Sequence, residues 1–578
     1  MLPKIGSIFC LVIFENNLGV FFYIILLFYI SLSKMYNMKR YVFLFTLLSL
    51  TSCLKKIKTP VDVIVSDATI YSVNKTFDTA TAMAIKNGKI VAMGSNVEIA
   101  NNYQSENNIN AKGKYIYPGL IDAHCHFYGF GLSLQEVDLR GTKSMEEVIK
   151  RIQVFQKEKK SNFIVGNGWD QNDWSVKEFP SKAILDKYFP DTPVVLNRVD
   201  GHAIIVNSKV LTLAGITKNT KAIGGQIEIK DGEPTGILID NPMELVFKII
   251  PKPNRKTQIA ALLDAEKVMF DYGLTTVNDA GLDPDIINLM DSLQKAKAMK
   301  LNVYAMVTAN QKNIDLYLKK GIYKTDNLDV RSFKMYGDGA LGSRGACLHK
   351  GYSDMPKQLG ALLSSVSELK SVAQQIAQSE FQLNSHAIGD SANTVLLKIY
   401  KEALTGKKDR RWKIEHAQVL REQDFDYFKT GIIPSVQPTH ATSDMYWAGD
   451  RLGKERLKNA YAYKKLLDKS KVIALGTDFP VEEVNPMLTF HAAVARKDSK
   501  GYPKGGFQME NALTREETLR GMTIWAAYSN FEEKEKGSLE VGKWADFVIF
   551  DKDLMKIIES EILEIKASAT YLKGVKVK

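Results

Sequence analysis

The stretch Pro118-Gly119-Leu120-Ile121-Asp122-Ala123-His124-Cys125-His126 decides the fold. It reads as a buried strand that ends in two imidazoles with one residue between them. Side chains alternate along a strand, so positions two apart point the same way. His124 and His126 therefore aim at one spot, as two ligands of one cation must. Cys125 should face the opposite side of the strand, as a small core residue.

Downstream of this strand, short apolar runs recur between helical stretches. Eight barrel-strand candidates emerge at 118–126, 273–279, 302–307, 331–336, 381–386, 412–416, 432–437 and 472–478. Gln258 to Tyr272 and Glu368 to Glu380 carry helical apolar periodicity. Strands alternating with helices imply parallel βα units, and eight of them fit an α/β fold of the (β/α)8 TIM type, here spanning residues 118–535. The gap from 127 to 272 is too long for one helix and predicts an inserted subdomain over the barrel mouth. It contains Gly166-Asn167-Gly168-Trp169-Asp170, Arg198-Val199-Asp200-Gly201-His202 and Gly232-Glu233-Pro234-Thr235-Gly236.

Before the barrel, residues 54–117 read as short strands with turns, and Asn87-Gly88 is a strong hairpin signal. A strand-like piece, Gly537 to Asp551, returns within residues 536–578.

Active sites of such barrels sit at the C-terminal ends of the strands. The fourth candidate strand carries Lys334, the fifth ends in His386, the sixth in His416 and the eighth in Asp478. Four of the eight histidines thus fall at strand ends, with one carboxylate and one lysine. His124, His126, Lys334, His386, His416 and Asp478 form the candidate ligand set. Imidazoles with a carboxylate suit a divalent transition metal, zinc first, as one or two ions. A protonated Lys334 would repel such an ion. A metal of this kind brings the pKa of bound water toward 7, and Asp478 is placed to take the proton as general base. Gln437 and His440 follow the seventh strand and are expected to line the substrate pocket. Asp338 and Arg344 are expected to order the loop after Lys334 or to contact substrate. His349 and His491 read as surface or loop residues.

The run Pro-Gly-Leu-Ile-Asp-x-His-x-His resembles the opening of the amidohydrolase superfamily barrel. Lys334 through Arg344, read as Lys-Met-Tyr-Gly-Asp-Gly-Ala-Leu-Gly-Ser-Arg, resembles the amidohydrolase-3-like branch that includes N-substituted formamide deformylases. The resemblance covers roughly residues 60–555. It implies that both chain ends build one small β-sandwich. It implies a Lys334 carboxylated by CO2 and bridging two metals, and His202 as a donor that polarises the scissile carbonyl. The activity it implies is hydrolysis of a non-peptide carbon–nitrogen bond in a linear amide, formamide or N-acyl amine. A mononuclear deaminase of a nucleobase-like ring is the alternative enzyme, and Lys334 counts against it. A non-catalytic, membrane-tethered binding protein is the alternative outside enzymes, and the intact ligand set counts against that.

Composition sets outer bounds. The chain has 578 residues, is 45% hydrophobic and carries a formal charge of +12. The lysines are dispersed, so no nucleic-acid partner is expected. Four cysteines, Cys10, Cys53, Cys125 and Cys347, do not make a disulfide framework. Met38-Lys39-Arg40, the apolar run Tyr41 to Leu50 and Leu50-Thr51-Ser52-Cys53 resemble a lipoprotein signal with Cys53 as the lipidated residue. Translation is then expected to begin at Met38, residues 1–53 stand apart from the fold, and the enzyme is an exported bacterial lipoprotein, periplasmic or anchored at the outer membrane. A second apolar stretch, Leu18 to Leu32, has no evident purpose. A homodimer is the default expectation for assembly.

Overall fold

The computed structural model describes residues 12–16, 19–23 and 57–578 apart from 199–202, 222–224 and 241. Cys53 with its signal-like run, and His202, lie outside the described residues. Val12–Asn16 and Gly19–Tyr23 pair as an antiparallel hairpin in a unit of their own. All else concerns the unit from Thr59 to Lys578.

Its centre is a barrel of eight parallel strands. In order they are Leu120–Cys125, Leu274–Leu282, Asn302–Thr308, Leu328–Tyr336, Gln382–Ala387, Lys413–His416, Ile433–Val436 and Ala474–Leu475. Each candidate strand of the sequence reading overlaps one of them, and the second and fourth strands run three residues beyond the expected bounds, to Leu282 and from Leu328. Most of their residues are buried, as strands covered on both faces must be. The helices between them bring their apolar faces to the same core, for example Leu369, Ala373 and Ile376 of Val366–Ala377.

The seam between the eighth strand and the first closes through backbone bonds. Asp478 N donates to the His124 carbonyl at 2.8 Å, and His126 N donates to the Phe479 carbonyl at 2.8 Å. Asp122 is the clasp. Its Oδ1 accepts from His124 N at 3.2 Å and Thr477 N at 3.1 Å, and its Oδ2 accepts from the Thr477 hydroxyl at 2.7 Å. Gly476 lets the strands come this close, since a Cβ there would lie 2.5 Å from His124 N and 2.8 Å from Asp122 Oδ1.

The chain ends interleave. Phe547–Phe550 pairs antiparallel with Tyr115–Pro118 inside one six-stranded sheet. A four-stranded sheet holding Val63–Ser66, Ala82–Lys86 and Lys89–Gly94 packs on it. Val65, Ile85, Ile116, Phe547 and Ile549 share the core between the two. Asn87 and Gly88, with φ of 52° and 73°, make the expected tight hairpin turn.

A separate six-stranded sheet fills much of the long first gap. Val137–Asp138, Ile164–Trp169 and Val194–Arg198 run parallel, and Ala203–Val206, Glu233–Asp240 and Gly225–Lys230 continue antiparallel. The insertion is narrower than residues 127–272. Phe127 of helix Phe127–Ser133, and Leu262, Ala265 and Met269 of helix Arg255–Asp271, belong to the barrel core instead.

Candidate metal centre

The barrel's C-terminal end gathers the six expected side chains. His124, His416 and Asp478 each present a ligand atom within 4.8 Å of one another. Ring centroids of His124 and His416 lie 4.9 Å apart, and those of His386 and His416 lie 4.5 Å apart. Lys334 Nζ lies 3.1 Å from His124 Nε2. His126 Nε2 lies 3.2 Å from Asp478 Oδ1.

Three of the four rings share one arrangement. His124 Nδ1 faces the Glu415 carboxylate at 2.6 Å, His126 Nδ1 faces the Ala280 carbonyl at 3.0 Å, and His416 Nδ1 faces the Gln437 Oε1 at 2.8 Å. Each acceptor places the ring proton on Nδ1 and leaves the Nε2 lone pair for the cluster. The backbone of Gly339 hydrogen-bonds to the His386 ring, whose Nε2 has no partner. Asp478 Oδ1 and Glu415 Oε1 are likewise buried without hydrogen bonds. Lone pairs that face one another in a dry space are costly unless a cation sits among them. The donor set fits a divalent metal: imidazole nitrogens, one carboxylate, and acceptors behind the rings.

Electrostatics agree. Burial pushes His124 below its ordinary value, and Lys334 beside it adds to the effect. Burial drives His416 well below its ordinary value and takes His386 down to about 3. Neutral imidazoles are the form a metal needs. Burial also lowers the Lys334 amine, which favours the unprotonated form. Burial opposes ionisation of Asp478, and the neighbouring imidazoles outweigh it, His126 first. Asp478 and His416 both hold positive φ, 65° and 72°. Such backbone is uncommon for these residues and gathers at functional sites.

Comparison with known proteins bears on this geometry. A model of the amidohydrolase family matches residues 108–577. The chain belongs to the amidohydrolase family. Relatives span nearly its whole length. The LONG AFTER FAR-RED 3 protein of Arabidopsis thaliana is 33% identical over 533 residues, covering 89% of this chain and 91% of its own. The N-substituted formamide deformylase of Arthrobacter pascens is 24% identical over 543 residues, covering 89% of this chain and 98% of its own. A solved metal-dependent hydrolase from Pyrococcus furiosus superposes with a TM-score of 0.71 at 28% identity, covering 86% of this chain and all of its own. This amidohydrolase is accordingly a metal-dependent hydrolase on a TIM-type barrel.

The other expected site residues divide. His440 Nε2 lies 3.6 Å from Asp478 Oδ2, and its ring stacks on His416 at 5.8 Å. Gln437 spends its Oε1 on His416 and keeps a buried, unpartnered Nε2. Of the two uses expected for Asp338 and Arg344, the structure shows the ordering of the loop after Lys334. Asp338 is buried, and its carboxylate accepts the backbone N–H groups of Cys347, Ile388 and Gly389, which fixes the loop after the fourth strand. Arg344 forks onto Asp354 of that loop at 3.2 and 2.8 Å. His349 is an exposed loop residue as expected. His491 is not: it is buried on helix Pro486–Ala495. Cys125 is buried and hands its Sγ to the Asn278 carbonyl at 3.4 Å, clear of the cluster's face.

Two residues escaped the sequence reading. Glu415 sits beside His416 and looks like a spare strand carboxylate. Asp122 looks like an ordinary member of the opening run. Alternation places Glu415 and Lys413 on one side of the sixth strand, which was the available signal for Glu415.

Proposed function

We propose that this amidohydrolase cleaves a non-peptide carbon–nitrogen bond in a linear amide, formamide or N-acyl amine. The observation that carries the reading is the buried Lys334 amine 3.1 Å from His124 Nε2, among imidazoles of which His124, His126 and His416 turn Nδ1 to acceptors and leave Nε2 to the cluster. A neutral amine there is poised to take up CO2 and to become a further oxygen ligand.

Zinc is the proposed metal, held by His124, His126, His386, His416, Asp478 and carboxylated Lys334. When bound, it would polarise the carbonyl and make water nucleophilic near neutral pH. The side chains then divide the work. Asp478 takes the proton of the attacking water as the C–O bond forms and the carbonyl π pair moves to oxygen. It returns that proton to nitrogen as the C–N pair departs. Glu415, Ala280 and Gln437 keep the rings from turning. We place His440 beside Asp478 as a wall of the pocket, and His202 as a donor to the carbonyl.

Metal content and a substrate panel of N-formyl amines, N-acyl amines, nucleobases and dipeptides test this reading. About two metals per chain and turnover of the first two classes is the expected result. One metal with nucleobase turnover favours a deaminase, and hydrolysis of dipeptides alone would sink the proposed bond type. Asp478→Ala that loads metal and keeps full activity would remove Asp478 as the base. We further propose export and lipid attachment at Cys53, tested by the mass of the mature N-terminal peptide; an unmodified Cys53 in the mature protein would refute attachment.

A further inference from the structure

The strand that carries Lys334 ends on a polar side chain that the steps above leave unused. Tyr336 stands two residues beyond Lys334, so both leave the strand on the same side. Its ring centroid lies 5.0 Å from Lys334 Nζ and 5.9 Å from the His386 ring. Its hydroxyl reaches toward the end of the second strand. A Cβ placed on Gly281 would lie 3.1 Å from Tyr336 Oη, and Gly281 has a φ of 86°. Gly281 thus leaves the hydroxyl its room and adopts backbone that a bulkier residue would resist. The residue before it, Ala280, is the one whose carbonyl holds His126. The phenol therefore lies between the His386 ring and the strand end whose Ala280 carbonyl holds His126.

Three other tyrosines of the barrel spend their hydroxyls inside the protein. Tyr400 donates to Ser385 and to backbone carbonyls, Tyr461 to Asp444, and Tyr463 to the Gln437 carbonyl. Tyr336 is 39% exposed, and its hydroxyl bonds to no described residue. It is a free donor beside the reacting centre, held by a ring that packs over Lys334.

We propose that the Tyr336 hydroxyl donates a hydrogen bond to the substrate's carbonyl oxygen as that oxygen gains charge. The assignment rests on the hydrolase reading above. In the step it serves, the water oxygen bonds to the carbonyl carbon, the π pair moves onto oxygen, and the water proton passes to Asp478. A phenol aimed at that oxygen stabilises the tetrahedral state more than the trigonal one, so its contribution falls on kcat.

Tyr336→Phe tests it, because the ring over Lys334 stays. With the metal-loaded full chain, the variant should bind the same metal per chain and show the same circular dichroism. Its kcat should fall by about 100-fold, the usual effect of losing one such donor, with KM moved by no more than about threefold. Its affinity for methylphosphonate, a tetrahedral anion, should fall by about tenfold. Wild-type kcat in the variant, or unchanged methylphosphonate affinity, overturns the assignment. So does a variant that loses metal, which would make Tyr336 a part of the ligand cage. So does a wild-type chain that loads metal and binds no methylphosphonate. If methylphosphonate binding depends on Tyr336 while no amide is turned over, the hydrolase reading fails and the donor stands.

Discussion

The two ends of this barrel both bury polar groups, and they do so in opposite ways. At the N-terminal end, donors meet acceptors. Lys536 Nζ donates to Glu532 at 3.0 Å, Lys413 Nζ donates to Asn530 Oδ1 at 2.8 Å, and Asp546 accepts from Asn302 at 3.1 Å and from Lys573 N at 2.7 Å. At the C-terminal end, acceptors crowd together around the single amine of Lys334. The Nε2 atoms of His386 and His440 and the Oδ1 of Asp478 are buried and unmatched. At the first end opposite charges and donor–acceptor pairs dominate; the second gathers lone pairs that suit a cation. Burial of polar atoms alone therefore does not mark a site, and the sign of what they face does.

The contrast breaks first at the mouth. His416→Ala removes an inward Nε2, and metal analysis should show loss of bound ion. The accompanying fall in kcat/KM should reach about 10³-fold or more, since water then lacks its activating ion. Retained metal and activity would show that the unmatched lone pairs are incidental. A smaller loss is expected for Glu415→Gln, which keeps the shape and weakens the hold on His124. Metal affinity should drop by about 10- to 100-fold in competition with a chelator, while thermal stability of the loaded chain changes little.

At the other end the same kind of change should leave chemistry alone. Lys536→Met strands the Glu532 carboxylate, and denaturant unfolding should lose about 3–5 kcal/mol, the usual cost of breaking a buried pair on one side. The kcat of the folded fraction should be unchanged. Asp329 departs furthest from the paired pattern of this end, because both its oxygens lack hydrogen bonds, while Glu532 leaves only its Oε2 and Arg331 only its Nε unmatched. Burial, with Glu532 nearby, pushes it up to about 7, against Arg331, Lys324 and Lys536. A carboxyl whose folded pKa lies above its unfolded value holds its proton more tightly when folded. Stability therefore falls as pH climbs from about 4 to about 7 and levels off above that. Asp329→Asn should abolish this slope in unfolding curves, an effect of at most about 4 kcal/mol by linkage. A variant that keeps the slope would assign it elsewhere.

Much of the mouth was readable in advance because metal chemistry confines itself to few residue types at fixed places. The opening run ending in His124 and His126 is short and regular, and Lys334, His386 and His416 stand at or near the C-terminal ends of their strands. The rest depends on contacts across long stretches of chain. Glu415 acquires meaning only from His124, 291 positions away in sequence. Asp122 acquires it from Thr477, 355 positions away. Asp338 was offered two uses, and only the fold shows three backbone N–H groups waiting for its carboxylate. The insertion's near edge was misplaced because Phe127-Tyr128-Gly129-Phe130-Gly131-Leu132-Ser133 has two glycines and no helical apolar rhythm, yet it forms a barrel helix.

The pairing of Tyr115–Pro118 with Phe547–Phe550 has a consequence for how the molecule is made. A ribosome delivers the early partner hundreds of residues before the late one, so this pairing waits for Phe547–Phe550 to be made. The first metal-binding strand follows directly on the waiting segment, and its seam partner also comes late. Assembly of the barrel's C-terminal end thus depends on segments far apart in the order of synthesis, and a chain cut short before Phe547 leaves Tyr115–Pro118 without that antiparallel partner.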